Sequence, residues 1–142
     1  MTSKERLYAT IRGEPHDRVP VTPTFMAWAA VKLHICGNTR HLMAHVATSG
    51  ADIIDVDWMV TLAEARQAVG PDVVLCGNFD PVAVLLQSTT EDVAEVARQC
   101  SAFGGQGFIL MLGCEVPPGT AEENIRAFCH CDGSLISDAL KR

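Results

Sequence analysis

Four short apolar runs, at residues 31–35, 53–56, 71–75 and 108–112, each give way to a stretch with helical spacing. Those stretches lie near residues 39–48, 62–69, 82–86 with 91–103, and 121–129. Short aliphatic runs of this kind read as buried strands, and parallel strands need a helical crossover between them. The class is therefore α/β with a parallel sheet. An open doubly wound sheet and part of a (β/α)8 barrel both fit the pattern. The chain has 142 residues and a closed eight-stranded barrel takes about 250, so four βα units amount to about half of one.

Ahead of these units, Leu7, Tyr8 and Ile11 recur at helical spacing, and Gly13 with Pro15 ends the pattern, which predicts a short N-terminal helix from Thr2. The next stretch, Asp17-Arg-Val-Pro-Val-Thr-Pro, reads as an extended segment or the entry to a barrel-type strand. Thr120 and Glu123 have capping-box spacing, which predicts the start of the last helix.

Eleven Lys and Arg against 17 Asp and Glu give a net charge of −6, which argues against a nucleic-acid or anionic-membrane partner. The apolar run from Phe25 to Val31 is far short of the ~20 residues of a bilayer span. Met-Thr-Ser-Lys-Glu-Arg at the N-terminus has no apolar signal region, so a cytoplasmic location is expected. Cysteines at positions 36, 76, 100, 114, 129 and 131 then fit reduced thiols or metal ligands better than a disulfide framework.

Parallel α/β folds place functional residues just past the carboxyl ends of their strands. Here those ends carry His34, Cys36 and Asn38, then Asp55 and Asp57, then Cys76, Asn78 and Asp80, then Cys114 and Glu115. His34 and Cys36 are two apart on a strand and so share a face. Zinc favours imidazole and thiolate, and an open zinc site uses three protein ligands and one exchangeable position. Cys114 is the best third ligand, with Asp57 or Asp55 filling the fourth position until a substrate displaces it. The alternative for the His-x-Cys pair is a half-buried histidine beside an inert thiol. Asn78 and Asp80 are placed to hydrogen-bond a ligand, and Asn38, Asn78 and the glycines before them to shape the βα turns. The other candidates read as structure. Cys76 is a small buried hydrophobe, Cys100 is helix packing, and His41 with His45 is solvated surface. Cys129-His130-Cys131 reads as an exposed, frayed helix end, and Trp28, Trp58 and the methionines as core or pocket lining.

Five segments, in order, resemble one known superfamily: Gly13-Glu-Pro-His-Asp-Arg-Val-Pro-Val, His34-Ile-Cys-Gly-Asn-Thr39, Gly50-Ala-Asp-Ile-Ile-Asp-Val-Asp57, Gly77-Asn-Phe-Asp-Pro81, and Gly113-Cys-Glu-Val-Pro-Pro-Gly-Thr120 with Glu123-Asn-Ile. It is that of uroporphyrinogen decarboxylase and the zinc-dependent methylcobalamin:thiol (coenzyme M) methyltransferases. The resemblance implies a (β/α)8 TIM barrel represented in part, as a single domain over 1–142. Residues 1–30 match the family's N-terminal segment and residues 31–128 its C-terminal half of about four βα units. The family's middle is absent, and residues 129–142 form an unmatched tail. His34, Cys36 and Cys114 match the His-x-Cys…Cys zinc site of the methyltransferase branch, and Asp57 the carboxylate that completes the resting coordination. The implied activity is zinc-dependent methyl transfer from a methylated corrinoid, methylcobalamin held by a partner protein, to a small thiol, with Asn78 and Asp80 orienting the substrate. The decarboxylase branch relies on an arginine-bearing N-terminal segment, whereas residues 21–30 contain no arginine. A decarboxylase-type lyase of porphyrin biosynthesis is thus the alternative, and a non-catalytic barrel fragment the third reading. Half a barrel has two open sheet edges, which implies a homodimer that completes it.

Overall fold

The computed structural model describes residues 1–20 and 31–131. Trp28, residues 25–30 of the apolar run and most of the expected tail lie outside the described residues. Helix α1 (Ser3–Ile11) begins at a capping box in which the Thr2 hydroxyl accepts from the Glu5 amide and the Glu5 carboxylate accepts from the Thr2 amide. The buried Arg6 grips Asp17 through two hydrogen bonds of 2.6 and 2.9 Å, tying α1 to the segment that follows. At the end of that segment the Pro20 carbonyl accepts from the Leu110 amide (3.0 Å), so the extended stretch arrives beside the last strand of the sheet.

The sheet comprises β1 (Lys32–His34), β2 (Ile53–Val56), β3 (Val74–Phe79) and β4 (Phe108–Leu112), all parallel and in sequence order. The crossovers are α2 (Met43–Ala47, entered through a 3-10 turn at Arg40–Leu42), α3 (Leu62–Val69), and a π-helical turn (Pro81–Leu86) followed by α4 (Thr90–Gly104). Helix α5 (Glu122–Cys129) closes the described chain. Thr61 and Glu64 form a second capping box, and the Thr89 hydroxyl caps α4 by accepting from the Asp92 amide.

Side chains alternate across a strand, so the register sorts them onto two faces. The helix-covered face buries Ile54, Val56, Leu75, Phe79, Phe108 and Leu110 against Met43, Val46, Ala65, Val93, Ala97 and Phe128. Phe79 and Phe128 meet edge to face at 5.0 Å. On the other face Ile53, Val74, Cys76, Ile109 and Met111 pack with Leu7 and Ile11 of α1. The registers His34↔Asp55, Asp55↔Cys76 and Cys76↔Ile109 lay these four residues in one row on that same face.

Three expectations change. Strand β3 runs on through Cys76, Gly77 and Asn78 instead of ending at Leu75, because pairing continues on both sides through Val56↔Gly77 and Asn78↔Met111. Glycine is required at 77: its φ is +111°, and a Cβ there would stand 2.3 Å from the Val56 carbonyl. The expected capping box at Thr120 does not form. The Thr120 hydroxyl donates to the Pro117 carbonyl (2.7 Å) inside a turn, and α5 starts after Ala121 with no side-chain cap. Cys129-His130-Cys131 is not an exposed frayed end, since Cys131 is buried in the helix-side core and Cys129 packs against it.

Candidate metal centre

Neighbouring strands lie about 4.8 Å apart, so in a flat sheet β1 and β4 would be separated by roughly 14 Å. The sheet is instead curled so far that groups from its two edge strands touch. The Lys32 ammonium of β1 donates to Met111 Sδ of β4 at 3.5 Å. Past the carboxyl ends of the same two strands, Cys36 Sγ lies 3.7 Å from Cys114 Sγ and 3.0 Å from His34 Nε2. The ligand atoms of His34, Cys36 and Cys114 all lie within 4.8 Å of one another, the one such group among the described residues.

These distances can be compared with what a metal demands. Two thiolates ~2.3 Å from one tetrahedral zinc ion stand about 3.8 Å apart, close to the Cys36–Cys114 spacing. The hydrogen bond with Cys114, followed by desolvation and the negative groups Cys114, Asp57 and Asp55, pushes the Cys36 thiol above its ordinary value. A cluster that resists a second negative charge in this way is one whose behaviour a divalent cation inverts. The donor set and its spacing therefore fit zinc. Cys36 is exposed and His34 and Cys114 are half-buried, which leaves the group open to ligands.

The other expected site residues are held by the backbone. Asp57 is buried, and its two carboxylate oxygens accept from the Gly37 and Met59 amides, each at 2.9 Å. It anchors the loop that carries Cys36 and is not one of the three converging ligands. The Asn78 amide donates to the carbonyls of Asp57 (2.9 Å) and Val60 (2.6 Å), fastening the loop after β2. Its φ of 143° is a conformation side chains rarely adopt, a local strain that these two bonds offset. Asp80 caps the π-helical turn, its Oδ1 accepting from the Val82 and Ala83 amides at 2.8 and 2.9 Å. Asn78 and Asp80 thus build the rim, in line with the turn-shaping role expected of Asn78, and these bonds are to the backbone.

Cys76 is fully buried beneath this rim, and burial, reinforced by the Asp55 charge, raises its thiol well above the ordinary value. It is a small core side chain. His41 and His45 are exposed, as expected for a solvated surface. Trp58 and Met59, expected as core or pocket lining, are not core: at 45% and 43% exposed they stand out at the rim. Two participants escaped the sequence reading. Asp55, considered only as a fourth ligand, has Oδ2 3.2 Å from His34 Nδ1, and Lys32 Nζ lies 2.7 Å from the same oxygen. Their signal was the paired spacing of Lys32 with His34 and Asp55 with Asp57, which becomes informative only once the strand register is known.

Comparison with known proteins agrees with this architecture. The family described as Uroporphyrinogen decarboxylase (URO-D) matches residues 27–132. A uroporphyrinogen decarboxylase from Gloeobacter violaceus is 39% identical over 103 residues, covering 69% of this chain and 28% of the relative. One from Microcystis aeruginosa is 42% identical over 99 residues (68% and 27%). The Methylcobamide:CoM methyltransferase MtbA of Methanosarcina mazei is 38% identical over 102 residues (72% and 29%). A solved methyltransferase from Methanosarcina mazei superposes with a TM-score of 0.68 at 23% identity, over 75% of this chain and 31% of its own. The chain thus spans under a third of the length of the proteins it matches, and its four parallel strands form part of a TIM barrel. With about three quarters of its residues inside the family match, and the same barrel segment recovered in structure, the chain belongs to the uroporphyrinogen decarboxylase family.

Proposed function

We propose that the chain carries the metal-binding part of a zinc-dependent methyltransferase, which moves a methyl group from a methylated corrinoid to a small thiol. The observation that carries this reading is the convergence of His34, Cys36 and Cys114 from opposite edges of the sheet, with a sulfur–sulfur distance of 3.7 Å. Three protein ligands leave one position of a tetrahedral ion for the thiol. Bound zinc supplies Lewis acidity, lowering the pKa of a thiol so that the nucleophilic thiolate is present at neutral pH. Asp57 holds the Cys36 loop through the Gly37 amide, and Asn78 holds the backbone that carries Asp57. With zinc held by His34, Cys36 and Cys114, the substrate thiol would give up its proton to solvent and its sulfur would take the methyl group, the bonding pair of the former methyl–donor bond remaining with the donor. A second copy of the chain completing the barrel is part of the proposal.

The relatives named uroporphyrinogen decarboxylase favour a second reading, a lyase of porphyrin biosynthesis. A metal-free decarboxylation gives the paired thiols no task, so zinc content separates the two. The test is elemental analysis across the size-exclusion peak, followed by assay of thiol methylation from free methylcobalamin. About one zinc per chain is expected, with methylcobalamin consumed only by zinc-loaded protein. Folded protein that takes up no zinc overturns the reading in favour of the lyase. Zinc-loaded protein without methyl transfer overturns the reaction and leaves a metal-binding barrel fragment.

A further inference from the structure

We propose that Asp55 is the positioning residue of the His34 imidazole, fixing the tautomer and ring orientation that present Nε2 to the metal, with Lys32 as its charge partner. This rests on the zinc-site reading and adds to it a second layer that begins on the neighbouring strand.

The geometry runs in a line across the inner face. His34 and Asp55 are register partners on β1 and β2, and Lys32 lies two residues before His34 on the same face. The imidazole bridges two environments, with Nε2 3.0 Å from Cys36 Sγ and Nδ1 3.2 Å from Asp55 Oδ2. A neutral imidazole carries one N–H, and the carboxylate decides which nitrogen bears it. With the proton on Nδ1, the N–H lies beside a carboxylate oxygen 3.2 Å away that a turn of the ring would bring into line, and the Nε2 lone pair faces the thiols. The other tautomer sets the Nδ1 lone pair against a negative oxygen and turns an N–H toward the metal position. Metal-bound histidines commonly meet a carboxylate through their second nitrogen in this manner.

Two further observations point the same way. Nδ1 is buried and has no aligned hydrogen bond in the present ring orientation, so among the described residues no other acceptor competes with Asp55 for it. Asp55 keeps capacity to accept, since its Oδ1 is buried without a hydrogen-bond partner among the described residues while its Oδ2 meets Lys32, whereas both oxygens of Asp57 are taken by backbone amides. Lys32 makes the arrangement tolerable. Side chains only 16% and 6% exposed hold an ammonium–carboxylate contact of 2.7 Å, so the buried carboxylate is not left alone.

The test measures zinc affinity by chelator competition and the absorption of the cobalt(II)-substituted protein. It compares the wild type, Asp55→Asn and Asp55→Ala, with Cys114→Ala as the control that removes a ligand. Zinc affinity is expected to fall roughly tenfold with Asn, which keeps an acceptor, and up to about a hundredfold with Ala. The cobalt–thiolate charge-transfer band persists in both variants while the ligand-field bands shift, a signature that loss of a thiol would not give. Nitrogen NMR of His34 should show the Nδ1–H tautomer in the wild type and lose that preference in Asp55→Ala. Wild-type affinity and spectra in both Asp55 variants would overturn the proposal. Should Asp55→Ala fail to fold by circular dichroism, Asp55→Asn decides by the same criteria. Failure of the zinc reading looks different: the wild type and Cys114→Ala then bind zinc equally poorly, and the His34 tautomer alone reports whether Asp55 holds the ring.

Discussion

Toward its helices the sheet presents Ile54, Val56, Leu75, Phe108 and Leu110, all apolar and all buried. On the opposite face the same four strands place His34, Asp55 and Cys76 in one row with Ile109, and Lys32 and Asn78 in the rows on either side. The first face can be assembled from any well-packed set of hydrophobes, and its energy is that of area removed from water. The second buries charge, which has a desolvation cost that the Lys32–Asp55 contact must offset. That cost is borne where the polar row leads to the rim holding His34, Cys36 and Cys114. Both faces contribute packing, the second through Ile53, Val74, Ile109 and Met111 against α1, but only the second carries the proposed metal site, so substitutions at that site and in the helix-side core should separate cleanly.

The sharpest separation comes from Cys114→Ala. Structural zinc sites bind with roughly 10–16 kcal/mol from about four ligands, so removing one is expected to cost about a hundredfold to a thousandfold in zinc affinity. Because Cys114 is half-exposed beyond the end of β4, the melting temperature of the metal-free protein should stay within a few degrees of wild type. Chelator competition and thermal unfolding measure the two effects, and full zinc occupancy in the variant would sink the ligand assignment. Phe79→Ala is the converse. Phe79 is fully buried against Phe128, and its loss should destabilise the fold by about 3–5 kcal/mol, read by denaturant unfolding. Zinc affinity measured on the fraction still folded should be unchanged; if it falls as well, the two faces are coupled and the comparison fails.

What was legible in the sequence follows the same division. The helix-side face announces itself through periodicity, so all four strands and their crossovers were readable, as were His34, Cys36 and Cys114 as residues of metal-binding type. The polar residues were recognisable but their partners were not. Asp55 and Asp57 are two apart and share a face, yet one approaches an imidazole and the other accepts backbone amides, a difference set by the register with β1 and by the loop at Gly37. Thr120 and Glu123 have the spacing of a cap, but Pro117 offered the hydroxyl a nearer acceptor. Thr2 with Glu5 and Thr61 with Glu64 have the same spacing without such a competitor, and both boxes form.

The cysteines allow a subtler test of the two faces. Cys100 of α4 packs against the helix-side core, and burial first, then the proximity of Cys131, pushes its thiol up to about 11. A thiol ionises near pH 8.5 in the unfolded chain, so the unfolded state loses its proton first as the pH rises. The stabilisation is complete below about pH 8.5 and is lost progressively toward pH 11, amounting to roughly 2–3 kcal/mol in this order-of-magnitude view. Denaturant midpoints measured from pH 8 to 11 should fall less steeply for Cys100→Ala than for wild type. An identical slope would show that this thiol is not held by the core.

The smallest expected effect concerns a carboxylate at the rim. Asp80 stands at the carboxyl end of a strand, where a carboxylate in a barrel invites a substrate role, yet its Oδ1 accepts from the Val82 and Ala83 amides and so satisfies two otherwise unpaired donors of the turn that follows. If capping is its task, Asp80→Ala should cost about 1 kcal/mol, Asp80→Asn less because the amide oxygen can accept the same bonds, and zinc affinity should be unaffected by either. If Asp80 instead orients a substrate, the Asn variant keeps its stability but raises KM for the thiol in the methyl-transfer assay. Stability and KM together distinguish the two roles, and a stable Asp80→Ala variant with a weakened KM would move Asp80 from the scaffold to the reacting face.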